Sequence, residues 1–251
     1  MFDGLYGAAT QRAKPGYNAI EEKNVSQAST MMNRRVLLGG VTSVAVLAAA
    51  GCAGYPQFSL EEAVRRLLFL STDRAFARLL APGGFWDDSV TRLALPESIG
   101  NRGGVLARIL TGPIVKDRLQ RAFNDMAYDA AERAAPAVTD AVRTIGIRNA
   151  LALLRGSDPM GATAFLHQEM GTSLVEIMVP EFGDAIRVSR DPLLGEVLAA
   201  LTGVDVGGIA SSLAYEADNA IFRAIGREEA AIRADPRSTN DPVLMAAFGI
   251  K

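Results

Sequence analysis

The chain has one cysteine, Cys52, one histidine, His167, and one tryptophan, Trp86, in 251 residues. A lone thiol closes no intramolecular disulfide, and a lone imidazole excludes sites that need two, most zinc hydrolases among them. Aromatic residues make up 6% of the chain, and runs of Val, Ile and Thr alternating with polar residues are scarce, so nothing points to sheets. Lysine is nearly absent. The basic residues are overwhelmingly arginine, scattered without forming a patch, and the net charge is -2, which argues against a nucleic-acid partner. Also missing are a phosphate loop ending in Lys-Ser/Thr, a His-Glu-x-x-His pair, and a Gly-x-Ser-x-Gly elbow. Gly100-Asn101-Arg102-Gly103-Gly104 comes after no strand and reads as a turn. No cofactor or metal site is expected.

Long apolar runs are missing too, with one exception. Residues 36–50 are apolar or small throughout, but a membrane-spanning helix takes about 20 residues. Fifteen residues suit the apolar segment of an export signal. Arg34 and Arg35 precede the run, and Ala49, Ala50 and Gly51 supply small side chains for cleavage between Gly51 and Cys52. Ala49-Ala50-Gly51-Cys52 resembles a bacterial lipobox, in which the thiol receives a diacylglyceryl group and becomes the first mature residue. Two or three acyl chains, at about 0.8 kcal/mol per buried methylene, anchor a protein durably to a membrane. Asn33-Arg34-Arg35-Val36-Leu37-Leu38 also resembles a twin-arginine signal, and Met31 or Met32 fits the true start. The expected division is residues 1–51 as extension and signal, 52–58 as lipidated tether and 59–251 as the folded domain. The expected address is the cell envelope, facing the periplasm. Ala53 lacks the Asp that retains some lipoproteins at the inner membrane, which favours the outer one.

Beyond the tether the pattern is helical, and no repeat or linker divides it: an all-α, bundle-like single domain of about six to eight helices. Ser59-Leu60-Glu61-Glu62 reads as a capping box opening a helix to about Leu80, with Leu60, Leu67, Leu68 and Phe76 on its apolar face. Pro82-Gly83-Gly84 stops it, residues 85–95 form a loop with short helical pieces, and a Gly-interrupted helix covers 97–110. A long helix spans 113–145, kinked or divided at Pro136, with Asp117–Arg121 and Asp129–Arg133 pairs on its solvated face. Shorter helices are expected over 148–155, 159–179 and 192–201. A second long one covers 206–234, stopped by Asp235-Pro236, and a last turn begins at Asp241-Pro242.

Several short motifs in order carry a resemblance: Ala130-Ala131-Glu132-Arg133-Ala134-Ala135-Pro136, Ala150-Leu151-Ala152-Leu153-Leu154-Arg155-Gly156, Ala162-Thr163-Ala164-Phe165-Leu166, Glu228-Glu229-Ala230-Ala231-Ile232-Arg233-Ala234-Asp235-Pro236 and Phe248-Gly249. With Leu95-Pro96, they resemble the bacterial family catalogued as domain of unknown function 4197, over about residues 85–249. The resemblance implies a small exported helical protein, often a lipoprotein, without an assigned activity. Tyr128, His167 and Asn149 stand where that family tends to have Asn, Arg and Asp.

Carboxylates form the one enzyme-like constellation. Glu132, Glu228, Glu229 and Asp235 lie on or beside the two longest helices, and antiparallel packing would let two of them face each other near Arg233. The structural alternative is an i,i+4 pair between Glu229 and Arg233, with Asp235 capping the segment after the helix break. His167 reads as a surface or packing residue. Three functions are compatible with these residues. The first is a lipid-anchored interaction or envelope-maintenance module, marked by an apolar or Arg-lined groove without converging carboxylates. The second is a carrier of a lipid or other apolar ligand, suggested by Gly161, Ala162, Gly171, Gly207 and Gly208. The third is a carboxylate-dependent hydrolase. The expected partners are the membrane through Cys52, an unidentified protein and an apolar ligand.

Overall fold

Ser59 starts the first helix as its side chain predicts. In the computed structural model, its Oγ accepts from the Glu62 backbone N–H at 3.0 Å and opens α1 (Leu60–Leu79). The Glu62 carboxylate does not return to the cap. It turns to Arg66 at 2.9 Å, and Arg66 also reaches Asp241 at 2.8 Å. The buried face of α1 carries Val64, Leu67, Leu68 and Phe76, whereas Leu60, expected among them, is exposed. The structure describes residues 58–96, 112–200 and 205–249, apart from the side chains of 198–200. The stretch expected to be an export signal, Cys52, and the turn and helix expected over 100–104 and 97–110 lie outside the described residues.

After α1 the chain turns through Gly83, whose φ is +77°, and runs without regular structure from Arg92 to Pro96. Asn124 holds this run as a neighbouring strand would: its Oδ1 accepts from Leu93 N–H at 2.8 Å, and its Nδ2 donates to Leu93 O at 3.3 Å. Trp86 adds a second attachment, with Arg92 and Arg121 lying over its ring at 4.5 and 4.2 Å.

Helix α2 (Pro113–Thr144) passes Pro136 undivided. Pro136 faces solvent, as does Glu132, whose carbonyl loses its helical partner there and can meet water instead. Of the two ion pairs expected on this helix, Asp117–Arg121 forms at 3.1 Å, but Arg133 turns to Glu181 at 3.9 Å instead of Asp129. The far end of α2 is closed by α1: Arg65 donates to the carbonyls of Val142, Arg143 and Ile145 at 2.5, 2.6 and 3.3 Å. These would otherwise be unpaired acceptors of the last turn.

Next come α3 (Ala150–Arg155), α4 (Gly161–Met170) and α5 (Ser173–Val188). The last two replace the single helix expected over 159–179. Gly171 separates them at φ +55°, ψ -123°, a conformation open to glycine alone. Pro180, on the solvent side of α5, does not end it. Asp191 caps α6 (Pro192–Ala200) through its Leu193 N–H bond of 2.8 Å. Then α7 (Val206–Ala234) leads into a 3-10 turn, Pro236–Thr239, and α8 (Pro242–Ala247), capped by Asp241.

No strand occurs among the described residues, and the fold is all-α. Helix α7 lies between α1 and α5, while α2 packs on both of these, so the four make a bundle with the shorter helices around it. Alanines line the close contacts: Ala127, Ala130, Ala131 and Ala134 on α2 and Ala210, Ala214, Ala217 and Ala220 on α7 are fully buried. Phe85, Phe123 and Phe182 fill the wider spaces, each worth about 1.5–3 kcal/mol on burial. All of this falls in one compact unit, Gly54–Lys251. No described helix is long and apolar enough to cross a membrane.

Three of the small residues that suggested room between helices serve packing or turns. Ala162 is fully buried, Gly171 makes the α4–α5 break, and a Cβ on Gly208 would stand 2.8 Å from the Asp205 carboxylate.

Candidate functional site

The four candidate carboxylates do not converge. Glu229 on α7 is completely buried at the start of α4. Its Oε1 accepts from Ala162 N–H at 3.0 Å, and its Oε2 accepts from Thr163 N–H at 2.7 Å and Thr163 Oγ1 at 2.6 Å. Arg233, one turn on, donates to Oε1 through Nε at 2.9 Å and a terminal nitrogen at 2.6 Å. The same guanidinium reaches the Leu154 and Leu153 carbonyls at 2.8 and 2.5 Å, at the end of α3. One ion pair thus satisfies free donors at one helix start and free acceptors at another helix end. Both carboxylate oxygens are occupied by protein donors, which leaves no space for a substrate.

Glu228 points another way, as neighbours 100° apart on a helix must, and pairs with Arg78 of α1 at 2.8 Å. Nearby, Arg227 holds Asp88 at 2.6 Å. Burial alone would raise the Asp88 pKa, but the Val90 N–H and Arg227 outweigh it and hold the carboxyl below its usual range. Glu132 is exposed on α2. Asp235 is exposed too and acts through its backbone, its carbonyl accepting from Ser238 N–H and Oγ at 3.1 and 2.7 Å. Among the described residues no three His, Cys, Asp or Glu side chains gather to hold a metal.

His167 has a more defined place than a surface position. On α4 it stacks against Phe222 of α7, ring centroids 3.9 Å apart, and its Nε2 lies 2.7 Å from Asp218 Oδ2. Asp218 is 4% exposed, and its Oδ1 has no hydrogen-bond partner among the described residues. Burial raises its pKa, and the contact with His167 offsets only part of this. A carboxylate inside the apolar stripe of α7, four residues before Phe222, was the available sign of a buried polar contact.

A groove runs along the seam of α1 and α2. One section, of about 250 Å³, is lined by Phe69, Thr72, Asp73, Phe76, Ala135, Thr139, Val142 and Arg143. A second, of about 380 Å³, shares Phe69, Val142 and Arg143 and adds Glu62, Arg65, Arg66, Leu70 and Asp241. Phe69, between them, is 43% exposed. The Thr72 hydroxyl is buried beside the first section without a partner among the described residues. A separate, more polar cleft of about 320 Å³ lies between the 82–86 turn and α2, lined in part by Trp86, Asp125, Tyr128 and Asp129. Burial, and more weakly Asp129, raises the Asp125 pKa there against the opposing pull of Arg121.

The family model described as Protein of unknown function (DUF4197) matches residues 54–249. The chain belongs to this family. No curated protein and no solved structure matches it. The three positions at which this DUF4197 chain departs from the resemblance do not form one site. Tyr128 lines the loop cleft, His167 meets Asp218, and Asn149 precedes α3 in the left-handed region at φ +62°. The positions read as signal and anchor, Arg34, Arg35, Gly51 and Cys52, precede the described residues.

Proposed function

We propose that this DUF4197 protein is a lipid-anchored component of the bacterial envelope, facing the periplasm, and that its working part is a recognition groove rather than a catalytic centre. One observation carries the reading: the α1–α2 groove is lined by Phe69, Leu70 and Val142 together with Arg65, Arg66 and Arg143 and the Arg66-paired carboxylates Glu62 and Asp241, while Glu132, Glu228, Glu229 and Asp235 are separately engaged or solvated. A hydrolase would need two of those carboxylates about one substrate. The sequence adds the anchor, since Cys52 ends the apolar run and stands seven residues before the Ser59 cap, and Ala53 favours the outer membrane.

The anchor is tested on protein recovered from its host. The peptide beginning at Cys52 carries the mass of a diacylglyceryl group and an acyl chain, and Cys52→Ala moves the protein out of the membrane fraction. An unmodified Cys52 in soluble protein overturns the anchor. The groove is tested separately with Phe69→Asp, which keeps the helical circular dichroism of the wild type and fails to restore envelope integrity to a deletion strain. Full restoration overturns the groove, and Glu132→Gln is expected to restore fully.

A further inference from the structure

We infer that the α1–α2 groove lodges a zwitterionic phospholipid of the phosphatidylethanolamine type, with its phosphate at Arg143, its ammonium at Asp73 and one acyl chain along Phe69 and Leu70. This inference rests on the groove reading above and names the ligand of that groove.

The charges across the first section carry the headgroup assignment. Among the described residues Asp73, exposed on α1, has no ion-pair partner, and Arg143 on α2 pairs only with Asp140, 3.3 Å away on its own solvated face. Both line the same 250 Å³ space. An anionic headgroup would meet Asp73 and a cationic one Arg143, so a group carrying both charges fits best.

Apart from Arg143, which both sections share, the charges of the second section are already engaged. Arg66 is already shared by Glu62 and Asp241, and Arg65 is committed to three backbone carbonyls, so its floor of Phe69, Leu70 and Val142 is left for apolar contact. This section runs along α1 from Glu62 to Leu70 for about 12 Å, room for the first part of one extended acyl chain. A peptide would bring backbone N–H and C=O groups that this floor cannot satisfy, whereas a hydrocarbon chain brings none. A membrane-tethered protein meets such lipids at high local concentration.

The test uses the protein as isolated from its host membranes in mild detergent, with native mass spectrometry and two probes, dioleoyl-phosphatidylethanolamine and dioleoyl-phosphatidylglycerol. The ethanolamine lipid is expected to bind about tenfold more tightly than the glycerol lipid, the worth of one charge-assisted contact. Arg143→Gln weakens both by a similar factor. Asp73→Asn weakens the ethanolamine lipid alone, so the preference disappears, while circular dichroism stays unchanged. Equal binding of the two lipids by the wild type, a preference that survives Asp73→Asn, or a polypeptide bound in place of lipid overturns the inference. If Cys52 is found unmodified, the anchor falls while the lipid preference still decides the groove. If Phe69→Asp impairs the cell but no lipid preference exists, the groove reading stands and its phospholipid does not.

Discussion

Glu229 and Thr163 lie 66 positions apart in sequence and are joined twice: the Thr163 N–H and Oγ1 both donate to Glu229 Oε2, at 2.7 and 2.6 Å. Thr163 thereby begins α4 on a carboxylate borrowed from α7. The residue preceding α4, Met160, supplies no side-chain cap. A buried negative charge at a helix start, balanced by Arg233, is a structural device of high cost to remove.

Glu229→Ala is accordingly expected to cost about 3–5 kcal/mol, the range for breaking a buried ion pair by deleting one partner. Urea unfolding measures the loss. Hydrogen exchange should localise it to the amides of Ala162 and Thr163. A loss below about 1 kcal/mol, the scale of a surface pair, would show that water replaces the carboxylate freely.

Arg65→Ala removes three hydrogen bonds to the last carbonyls of α2 and is expected to lower stability by about 1–3 kcal/mol. Exchange should quicken in the last turn of α2. Arg65→Lys should recover only part of the loss, because an ammonium lacks the planar fork that spans Val142 to Ile145.

The pH dependence has two components of opposite sign. Asp241 caps α8 and holds Arg66, and although burial alone would raise its pKa, these contacts lower it below the ordinary 3.8. Its stabilisation is therefore complete above that ordinary value and lost as pH falls through the folded value. Asp218 is raised by burial, so its contribution is complete below 3.8 and lost as pH rises through its higher folded value. Urea midpoints from pH 2 to 7 should show Asp241→Asn flattening the acid limb, and Asp218→Asn reducing the decline above it. The reverse assignment would refute the burial argument for Asp218.

Thr72→Val keeps the shape of the side chain and deletes a buried hydroxyl without a partner among the described residues. It should raise stability by about 1 kcal/mol, visible as a higher urea midpoint at unchanged slope. A loss of similar size would mean that the hydroxyl is satisfied in solution.

Where the helices begin and end was largely legible from single residues. Ser59, Pro113, Asp191, Asp241 and Gly156 act within a turn of themselves, and caps and prolines work through the local backbone. The break at Gly171 was missed because an isolated glycine inside an apolar pattern is tolerated in a helix as often as it ends one. The undivided passage through Pro136 depended on which side of α2 faces water.

The site could not be read in the same way. Glu132, Glu228, Glu229 and Asp235 are chemically alike in sequence, and only packing separated a helix cap, an ion-pair partner and two solvated residues. His167 looked solitary because Asp218 and Phe222 lie on another helix. The sequence by itself determined an all-α chain, most of its element boundaries and most of its apolar stripes, since these arise from backbone geometry and local side-chain chemistry. Tertiary structure decided which polar groups meet, because burial and partner distance are set by helices far apart along the chain. The α1–α2 groove belongs to that second class: Phe69 and Arg143 have no relation in sequence until α1 and α2 pack.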